Sequence, residues 1–334
     1  MNAPGTPIAA NPWLARFAKV VVVATFLLIL VGGHTTTAGA GMAFPDWPLS
    51  NGSLNPEGWL TDFFMFLEHS HRLTAGLVAG LVSVLFGWVL VRRVVVPRGS
   101  VTLALAALIG VFAQAVLGGL RVVLDPQGIA ATTSTIATTF RVLHGCFAQI
   151  ELCLLVALAA MLSPAWSQIA ASPRLRGVRR LGWITAGFVF LQLIAGATMR
   201  HLGAGLAIPT FPQMPDGGWL PRVHNAFTDL NFTHTRIGAV LVTLLILALV
   251  VRAIGSGEPR IVRPAALLLG LLAVQVALGM FVIWNVRPPI LTTLHVVNGA
   301  AVLATTVLLA VRAGRGEMRA SPTAPDTTLA EAHA

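Results

Sequence analysis

Histidines at matched spacings are the residues of this sequence with the clearest chemistry. Nine histidines occur in 334 residues, and one of them, His333, lies in the tail. When the first and second halves of the chain are aligned, His71 matches His234 and His144 matches His295. An imidazole from each of two facing helices is the arrangement that holds a haem iron from both faces. The spacing therefore indicates a histidine pair for haem in each half.

Two other interpretations of these histidines stay open at this stage. Buried histidines also form hydrogen bonds between membrane helices without binding a metal. A non-haem metal is the second alternative, although zinc requires four donors that converge on one point. Four further histidines, namely His34, His69, His201 and His224, have no matched partner. His69 lies two residues before His71 and points elsewhere on a helix, so it is the weaker ligand candidate.

An internal repeat supports the pairing of the histidines. The run Gly39–Pro48 (GAGMAFPDWP) aligns with Gly203–Pro212 (GAGLAIPTFP), and Gln114–Gly118 aligns with Gln275–Gly279. Each half contains an even number of expected spans, so both copies keep one orientation, as in parallel repeats about an axis along the membrane normal. The first span is then a structural helix and not a cleaved signal peptide.

The composition excludes a soluble domain. Hydrophobic residues make up 56% of the chain and charged residues 10%, against about 25% charged residues in soluble proteins. Apolar runs of about 20 residues match the thickness of a bilayer core. They predict eight spans at 14–33, 64–91, 101–124, 138–162, 181–199, 229–251, 264–284 and 289–311.

The 22 basic and 12 acidic residues set the expected orientation. Most basic residues lie in the short segments between spans that are inside if the N-terminus is cytoplasmic, so we expect both termini in the cytoplasm. The positive balance is thereby explained without a nucleic-acid partner. Two cysteines without a CxxC motif argue against thiolate-held metals, and Cys146 and Cys153 are expected to be packing residues.

The predicted fold is an all-α integral membrane protein with eight transmembrane helices, arranged as two pseudo-symmetric four-helix bundles. The multi-pass chain is expected in the cell inner (cytoplasmic) membrane, with the histidine sites toward the outer face. The expected organisation is an N-terminal bundle over 1–165, a cytoplasmic linker over 166–177, a C-terminal bundle over 178–314 and a polar, disordered cytoplasmic tail over 315–334.

Glu68 is the most specific catalytic candidate. It precedes His71 by three residues, so both side chains project to the same side of a helix. The matching residue in the second half is Asn231, which cannot exchange a proton near neutral pH. This difference suggests that the N-terminal half performs chemistry and that the C-terminal half holds a permanent cofactor. Alternatively, Glu68 pairs with Arg72 or orients a histidine.

Basic residues at the outer ends of spans require an anion, because the positive-inside rule disfavours them there. We expect four arginines to bind haem propionates: Arg72, Arg121, Arg141 and Arg236. Pairing with aspartates and snorkelling to lipid are the alternatives. Glu151 lies two helical turns beyond His144 and is expected either to relay protons or to accept a hydrogen bond.

These motifs resemble the haem A synthase family of cytochrome oxidase assembly enzymes. The resemblance rests on eight spans in two halves, the Glu-x-x-His-Arg motif at 68–72, the Pro-Asp-Trp-Pro run at 45–48, and the three further matched histidines. It covers residues 14 to 312. Many members have a cysteine pair in the outer loop near the Pro-Asp-Trp-Pro run, whereas residues 44–59 contain none. The extra residue Thr235 between His234 and Arg236 leads us to expect a different partner for Arg236 than for Arg72.

The resemblance implies an oxidoreductase that converts the C8 methyl group of haem O to a formyl group by successive hydroxylations, with oxygen from water. His71 and His144 would then flank the substrate haem O, which becomes haem A, with Glu68 in the catalytic role. His234 and His295 would ligate a haem b. The implied partners are the lipid bilayer, a haem O synthase as substrate donor, an electron acceptor of unassigned identity and a second copy of the chain.

Two other classes of protein compete with this interpretation. A dihaem b-type membrane cytochrome would share the four histidines but does not need Glu68 in one half alone. A transporter would also use repeated halves, but transporters usually break helices at the midplane. In this sequence, Gly and Pro concentrate in the expected outer loops, 34–63 and 200–228, which are long enough to cap the histidine sites.

Overall fold

The computed structural model of the chain describes residues 11–124 and 135–320, without the side chains of 318–320. Apart from an isolated bridge between Ser50 and Ser53, these residues form no strand. Eight of their helices are long and apolar enough to cross a membrane. The predicted all-α membrane fold with eight spans is confirmed.

The eight membrane-length helices differ from the expected spans mainly at their ends. They are α1 (Pro12–Thr37), α2 (Phe63–Val91), α3 (Ser100–Val123), α4 (Thr135–Leu162), α5 (Leu175–His201), α6 (Ala226–Gly255), α7 (Pro259–Trp284) and α8 (Pro289–Ala320). Beyond the expected ends, α5 begins at 175 and α8 continues to 320, and there Glu317 forms ion pairs with Arg176 (3.0 Å) and Arg179 (2.8 Å). The helix thus includes 315–320 of the expected tail, and 321–334 lie outside the described residues.

Side chains at the helix starts explain where four of these helices begin. The first-turn N–H groups of a helix have no intrahelical acceptor, and a side-chain oxygen at the N-cap supplies one. The side chains of Asn11, Asp62, Asn225 and Glu258 accept such bonds at the starts of α1, α2, α6 and α7. The long polar connection before α2 and the one before α6 therefore end at defined residues.

The helices of each half pack in a closed ring of four. In the first half α1 contacts α2 and α4, and α3 contacts α2 and α4; in the second half α5 contacts α6 and α8, and α7 contacts α6 and α8. Consequently α2 and α4 stand diagonally across one ring, and α6 and α8 across the other. The four matched histidines lie on these diagonal helices.

The two halves meet along a seam formed by α1 and α4 against α5 and α8. In the most apolar 18-residue stretch of α4 and of α8, 61% and 56% of the residues are buried. In the corresponding stretches of the other six helices, at most 33% are buried. An apolar cluster of Ile29, Leu152, Val156, Ala300 and Ala304 fills the seam. The central helices α4 and α8 are therefore shielded from lipid, and each carries one matched histidine.

All four matched histidines lie toward the same end of the molecule, here called the histidine end. There α1, α3, α5 and α7 finish, and α2, α4, α6 and α8 begin. Apolar residues such as Val82, Leu85, Ala107 and Leu158 fill the first half toward the opposite end. The polar side chains are thus concentrated at the histidine end, under the two long connections.

Candidate functional site

His71 and His144 face each other inside the first half. Their ring centroids are 6.5 Å apart and their planes are nearly perpendicular, at 89°. Both Nδ1 atoms are buried without a hydrogen-bond partner among the described residues. Two metal–nitrogen bonds of about 2 Å plus the half-widths of the rings add up to about 6 Å. One metal atom therefore fits between these two imidazoles.

Each ring of this pair lies against a glycine of a neighbouring helix. A Cβ atom added at Gly32 of α1 would lie 2.5 Å from Cε1 of His71, and one added at Gly118 of α3 would lie 3.0 Å from Cε1 of His144. The contact at Gly32 is shorter than real Cβ contacts and the one at Gly118 is tighter than most, so a side chain at either position would push against the imidazole. We call these two glycines, and the two described next, the cradle glycines.

The second half contains the same arrangement. Cβ atoms added at Gly196 of α5 and Gly279 of α7 would lie 2.7 Å and 3.2 Å from Cε1 of His234 and His295. Nδ1 of His234 is again buried without a partner in the described part of the chain. The ring nitrogens of His295 differ, because Nε2 of Gln275 lies 3.3 Å and 3.2 Å from them.

Replacing Gly196 by alanine is expected to remove the cofactor from the second half. The added methyl group would push the His234 ring out of position, although alanine raises helix propensity by about 1 kcal/mol over glycine. Haem content and the visible spectrum of the purified protein measure the effect. Gly187→Ala is the matched control on the same helix, because nothing lies within 4 Å of its added Cβ. Equal haem content in both variants would contradict the conclusion that Gly196 leaves the room that the His234 ring needs.

A π-helical segment, Thr233–Gly238, interrupts α6 at the ligand position. The wider π turn accommodates one extra residue, and Thr235 is the residue that the alignment leaves unmatched. Arg236 consequently donates to the carbonyl oxygen of Thr210 (2.6 Å), as Arg72 donates to that of Asp46 (2.8 Å), the aligned residue. Arg236 thus bonds the same loop position as Arg72, because the π segment absorbs the insertion, but it differs from Arg72 in having no counterpart of the ion pair with Glu68 among the described residues.

Glu68 is buried, with 4% of its surface exposed, and both of its oxygens are engaged. Oε1 forms an ion pair with Arg72 at 2.6 Å, and Oε2 accepts a hydrogen bond from the backbone N–H of Phe44 at 3.1 Å. The aligned Asn231 is fully buried and donates to the carbonyl oxygen of Ala204 at 2.9 Å. Pairing of Glu68 with Arg72, one of the alternatives, is therefore present in the structure, and the carboxylate still lies one turn from His71.

Arg72 and Arg236 fasten the two long connections to the histidine end. Arg72 donates to the carbonyl oxygens of Phe44, Asp46 and Leu49. Arg236 donates to those of Thr210 and Gln213. The structure thus directs both guanidinium groups to loop carbonyls, whereas the sequence had suggested propionates as their partners.

The first long connection covers the site beside His144. The Trp47 ring lies against Gly119, where an added Cβ would be 2.5 Å from Cδ2 of the indole. Within this connection Asp46 accepts hydrogen bonds from the backbone N–H groups of Asn51 and Gly52. Partial burial raises the pKa of Asp46, but these hydrogen bonds outweigh it and hold the pKa below its usual value. The geometry supports a capping role for this loop.

Replacing Arg72 by glutamine is expected to loosen this loop. The change removes several hydrogen bonds to carbonyl oxygens and leaves Glu68 without its cation, each loss costing on the order of 1–3 kcal/mol. Limited proteolysis of the membrane-embedded chain should cut residues 44–59 at least tenfold faster. Arg236→Gln should open the second loop and leave the first protected. Identical cleavage patterns in the two variants would contradict the conclusion that Arg72 fastens the first loop and Arg236 the second.

The other predicted residues occupy separate positions. Arg121 donates to the carbonyl oxygen of Gly41 at 3.2 Å, and Arg141 lies one turn before His144 on α4. Glu151 is 3% exposed, and neither of its oxygens has a partner among the described residues. Cys146 and Cys153 are free thiols. The proton-relay role of Glu151 stays a prediction.

The cradle glycines were missed from the sequence, although a signal existed. Gly118 and Gly279 fall inside the aligned Gln114–Gly118 and Gln275–Gly279 runs, and Gly32 and Gly196 match at the same offset as the Gly39–Pro48 alignment. Within the described residues no cluster of three or more His, Cys, Asp or Glu could hold a metal ion. Each histidine pair supplies two nitrogen donors from facing helices.

Fold and site together define a multi-pass helical membrane protein in which each half buries two facing histidines. The model of the family described as "Cytochrome oxidase assembly protein" matches residues 15–307. The protein named "Heme A synthase" from Azorhizobium caulinodans is 26% identical over 95% of this chain and 99% of its own length. Those of Symbiobacterium thermophilum (33% identical; 76% and 80% covered) and Beijerinckia indica (27%; 91% and 93%) are also similar. The chain belongs to the haem A synthase family.

Proposed function

We propose that this chain is a haem A synthase, an oxidoreductase that converts the C8 methyl group of haem O to a formyl group. The observation that carries the proposal is the buried carboxylate of Glu68, placed one helical turn from His71 in the first half and replaced by Asn231 in the second. Both halves have a histidine pair, but only the first adds an acidic group beside it. Membership of the family agrees with this assignment.

The two histidine pairs take different roles in this proposal. His71 and His144 would hold the iron of the substrate, haem O, between α2 and α4. His234 and His295 would hold a haem b as a resident cofactor, which supplies one-electron redox chemistry when bound. The fit rests on the unpaired Nδ1 atoms of His71, His144 and His234 and on glycines that leave room for all four rings.

The reaction balances with water as the source of oxygen. Conversion of a methyl group and one water to a formyl group releases four protons and four electrons, through a hydroxymethyl and then a dihydroxymethyl stage that loses water. His234 and His295 would hold the haem that takes up these electrons, and an external acceptor would receive them in turn. No oxygen atom from an external oxidant is required.

Glu68 would act on the substrate methyl carbon. Its carboxylate is fixed by Arg72 and the N–H of Phe44, so it keeps one orientation beside the histidine pair. A fixed negative charge stabilises the positive charge that develops as hydride equivalents leave the methyl group. The remaining lone pairs can accept a proton from the attacking water. Arg72 positions this carboxylate and the loop at the same time.

The location and partners follow from the same proposal. We place the chain in the cytoplasmic membrane of a bacterium, with both termini in the cytoplasm and the histidine end at the outer face. A haem O synthase would deliver the substrate through the bilayer, and an electron acceptor would reoxidise the second half. We further propose that the chain can assemble as a homo-oligomer.

Co-expression with a haem O producer tests the proposal. Extracted haems would be separated by chromatography and weighed, and conversion of methyl to formyl adds about 14 mass units. A haem of that mass, formed only when the chain is present, is the expected result. Protein that retains two haems but never converts haem O would be a dihaem b-type cytochrome and would refute the enzymatic assignment.

A further inference from the structure

A set of hydrogen bonds crosses the seam at the histidine end. Nη2 of Arg200, on α5, donates to the carbonyl oxygen of Gly33 (3.1 Å) and to Oγ1 of Thr37 (2.6 Å), both on α1. Oγ1 of Thr37 lies 3.2 Å from Oγ1 of Thr293 on α8, which is 2% exposed. Helices from both halves are therefore joined through one guanidinium group.

This network lies between the two histidine pairs. Gly33 directly follows the cradle glycine of α1, against which the α2 histidine lies. Arg200 follows the cradle glycine of α5, Gly196, by four residues and so shares its face of the helix. Thr293 precedes His295 by two residues. Gly33, Arg200 and Thr293 thus lie within about one helical turn of a candidate ligand or its cradle glycine.

Among the described residues, no anion contacts Arg200. Its two acceptors are neutral, and Nε and Nη1 donate no hydrogen bond to the described residues. The charged groups that act on it are Arg121 and Arg287, which are also cations. Arg287 lies against Gly205 and forms neither an ion pair nor a hydrogen bond with the described part of the chain. Arg200 is half-buried and Arg287 is exposed, and the repulsion between these cations favours binding of an anion between them.

We propose that Arg200, assisted by Arg287, binds a propionate carboxylate of the haem held by His234 and His295, and that this contact raises the reduction potential of that haem. Guanidinium groups pair with carboxylates through parallel hydrogen bonds. A nearby cation favours the reduced iron, which carries one positive charge less. The higher potential would help the second half to accept electrons from the first. This inference rests on the proposed function.

The test is a redox titration of full-length protein purified from cells that make haem B and no haem O. The readout is the midpoint potential of the haem signal that His234→Ala lacks. Arg200→Gln should lower the equilibrium constant for reduction about tenfold, which is about 59 mV for a one-electron couple. Arg200→Lys keeps the positive charge and should shift the midpoint potential less than Arg200→Gln does.

Two controls separate charge from packing. Thr37→Val removes the hydrogen bond across the seam but keeps the cation, so its potential should match the wild type. Arg222→Gln removes an exposed arginine that pairs with Asp216 and should also leave the potential unchanged. A shift in Thr37→Val as large as that in Arg200→Gln would mean that packing sets the potential, and it would overturn the inference.

The remaining outcomes also decide between the alternatives. An unchanged potential in Arg200→Gln overturns the inference while the proposed function stands. If Arg200→Gln does not fold, Arg287→Gln replaces it: a smaller fall in potential supports the site, and an unshifted potential rejects it. If wild-type protein has no haem signal that depends on His234, the proposed function itself fails.

Discussion

Glu68→Gln is expected to lower haem A formation by about 10²–10⁴-fold, the usual contribution of a positioned acid or base. Glutamine retains an acceptor for the N–H of Phe44 but carries no charge to stabilise a developing cation and no basic oxygen for a proton. Both histidine pairs should still hold haem, since neither pair contains Glu68. Chromatography of extracted haems, after co-expression with a haem O producer, measures the loss and any hydroxylated intermediate.

Glu258→Gln provides the matched control for this experiment. Glu258 is also a buried carboxylate that bonds an arginine, Arg260, and a backbone N–H, that of Ala170. Those hydrogen bonds and the arginine hold the pKa of Glu258 below its usual value against the effect of burial. Its loss should affect stability at the end opposite the histidines and leave haem A formation within about twofold of wild type. Normal haem A from Glu68→Gln, without intermediate, would refute the catalytic role.

Alanine at His144 and alanine at His234 are expected to abolish different haem signals. His144→Ala should prevent haem O from being held in the first half, so product falls below detection while the haem b spectrum persists. His234→Ala should remove the haem b spectrum, because one imidazole of that pair is lost. Visible spectra of the purified variants, together with haem extraction, distinguish the two results.

His224→Ala is the control for both substitutions. His224 lies in the second long connection, is exposed and contacts Asp229 at 2.8 Å, so it should change neither spectrum. The loss of both haem signals from either single variant would indicate collapse of the fold. The loss of the same signal from both variants would show that the histidines are not paired within halves.

Hydropathy and repeat were sufficient to predict the eight helices and the matched histidines. Apolar length decides whether a segment can span a bilayer, and this property is local. Hydropathy did not predict the helix extensions at 175–180 and 312–320, where Glu317 forms ion pairs with Arg176 and Arg179. Those residues are far apart in sequence.

The partners of the arginines were the least predictable part of the site. An arginine side chain reaches far, and its partner depends on how a loop folds, which hydrophobic periodicity does not describe. Arg72 and Arg236 bind loop carbonyls, and Arg200 binds α1 at the seam between the halves. Glu68 and its spacing to His71 were predictable, because both lie on one helix.

The π segment of α6 has a consequence for how this chain tolerates insertions. One extra residue in a regular α-helix rotates everything beyond it by about 100° and shifts it by about 1.5 Å. The lipid-facing side of Ala239–Ile254 would then turn toward the bundle, and buried Ile246 and Leu249 would turn away from it. Because the extra residue is taken up within Thr233–Gly238, the membrane-spanning remainder of the helix keeps its rotational register.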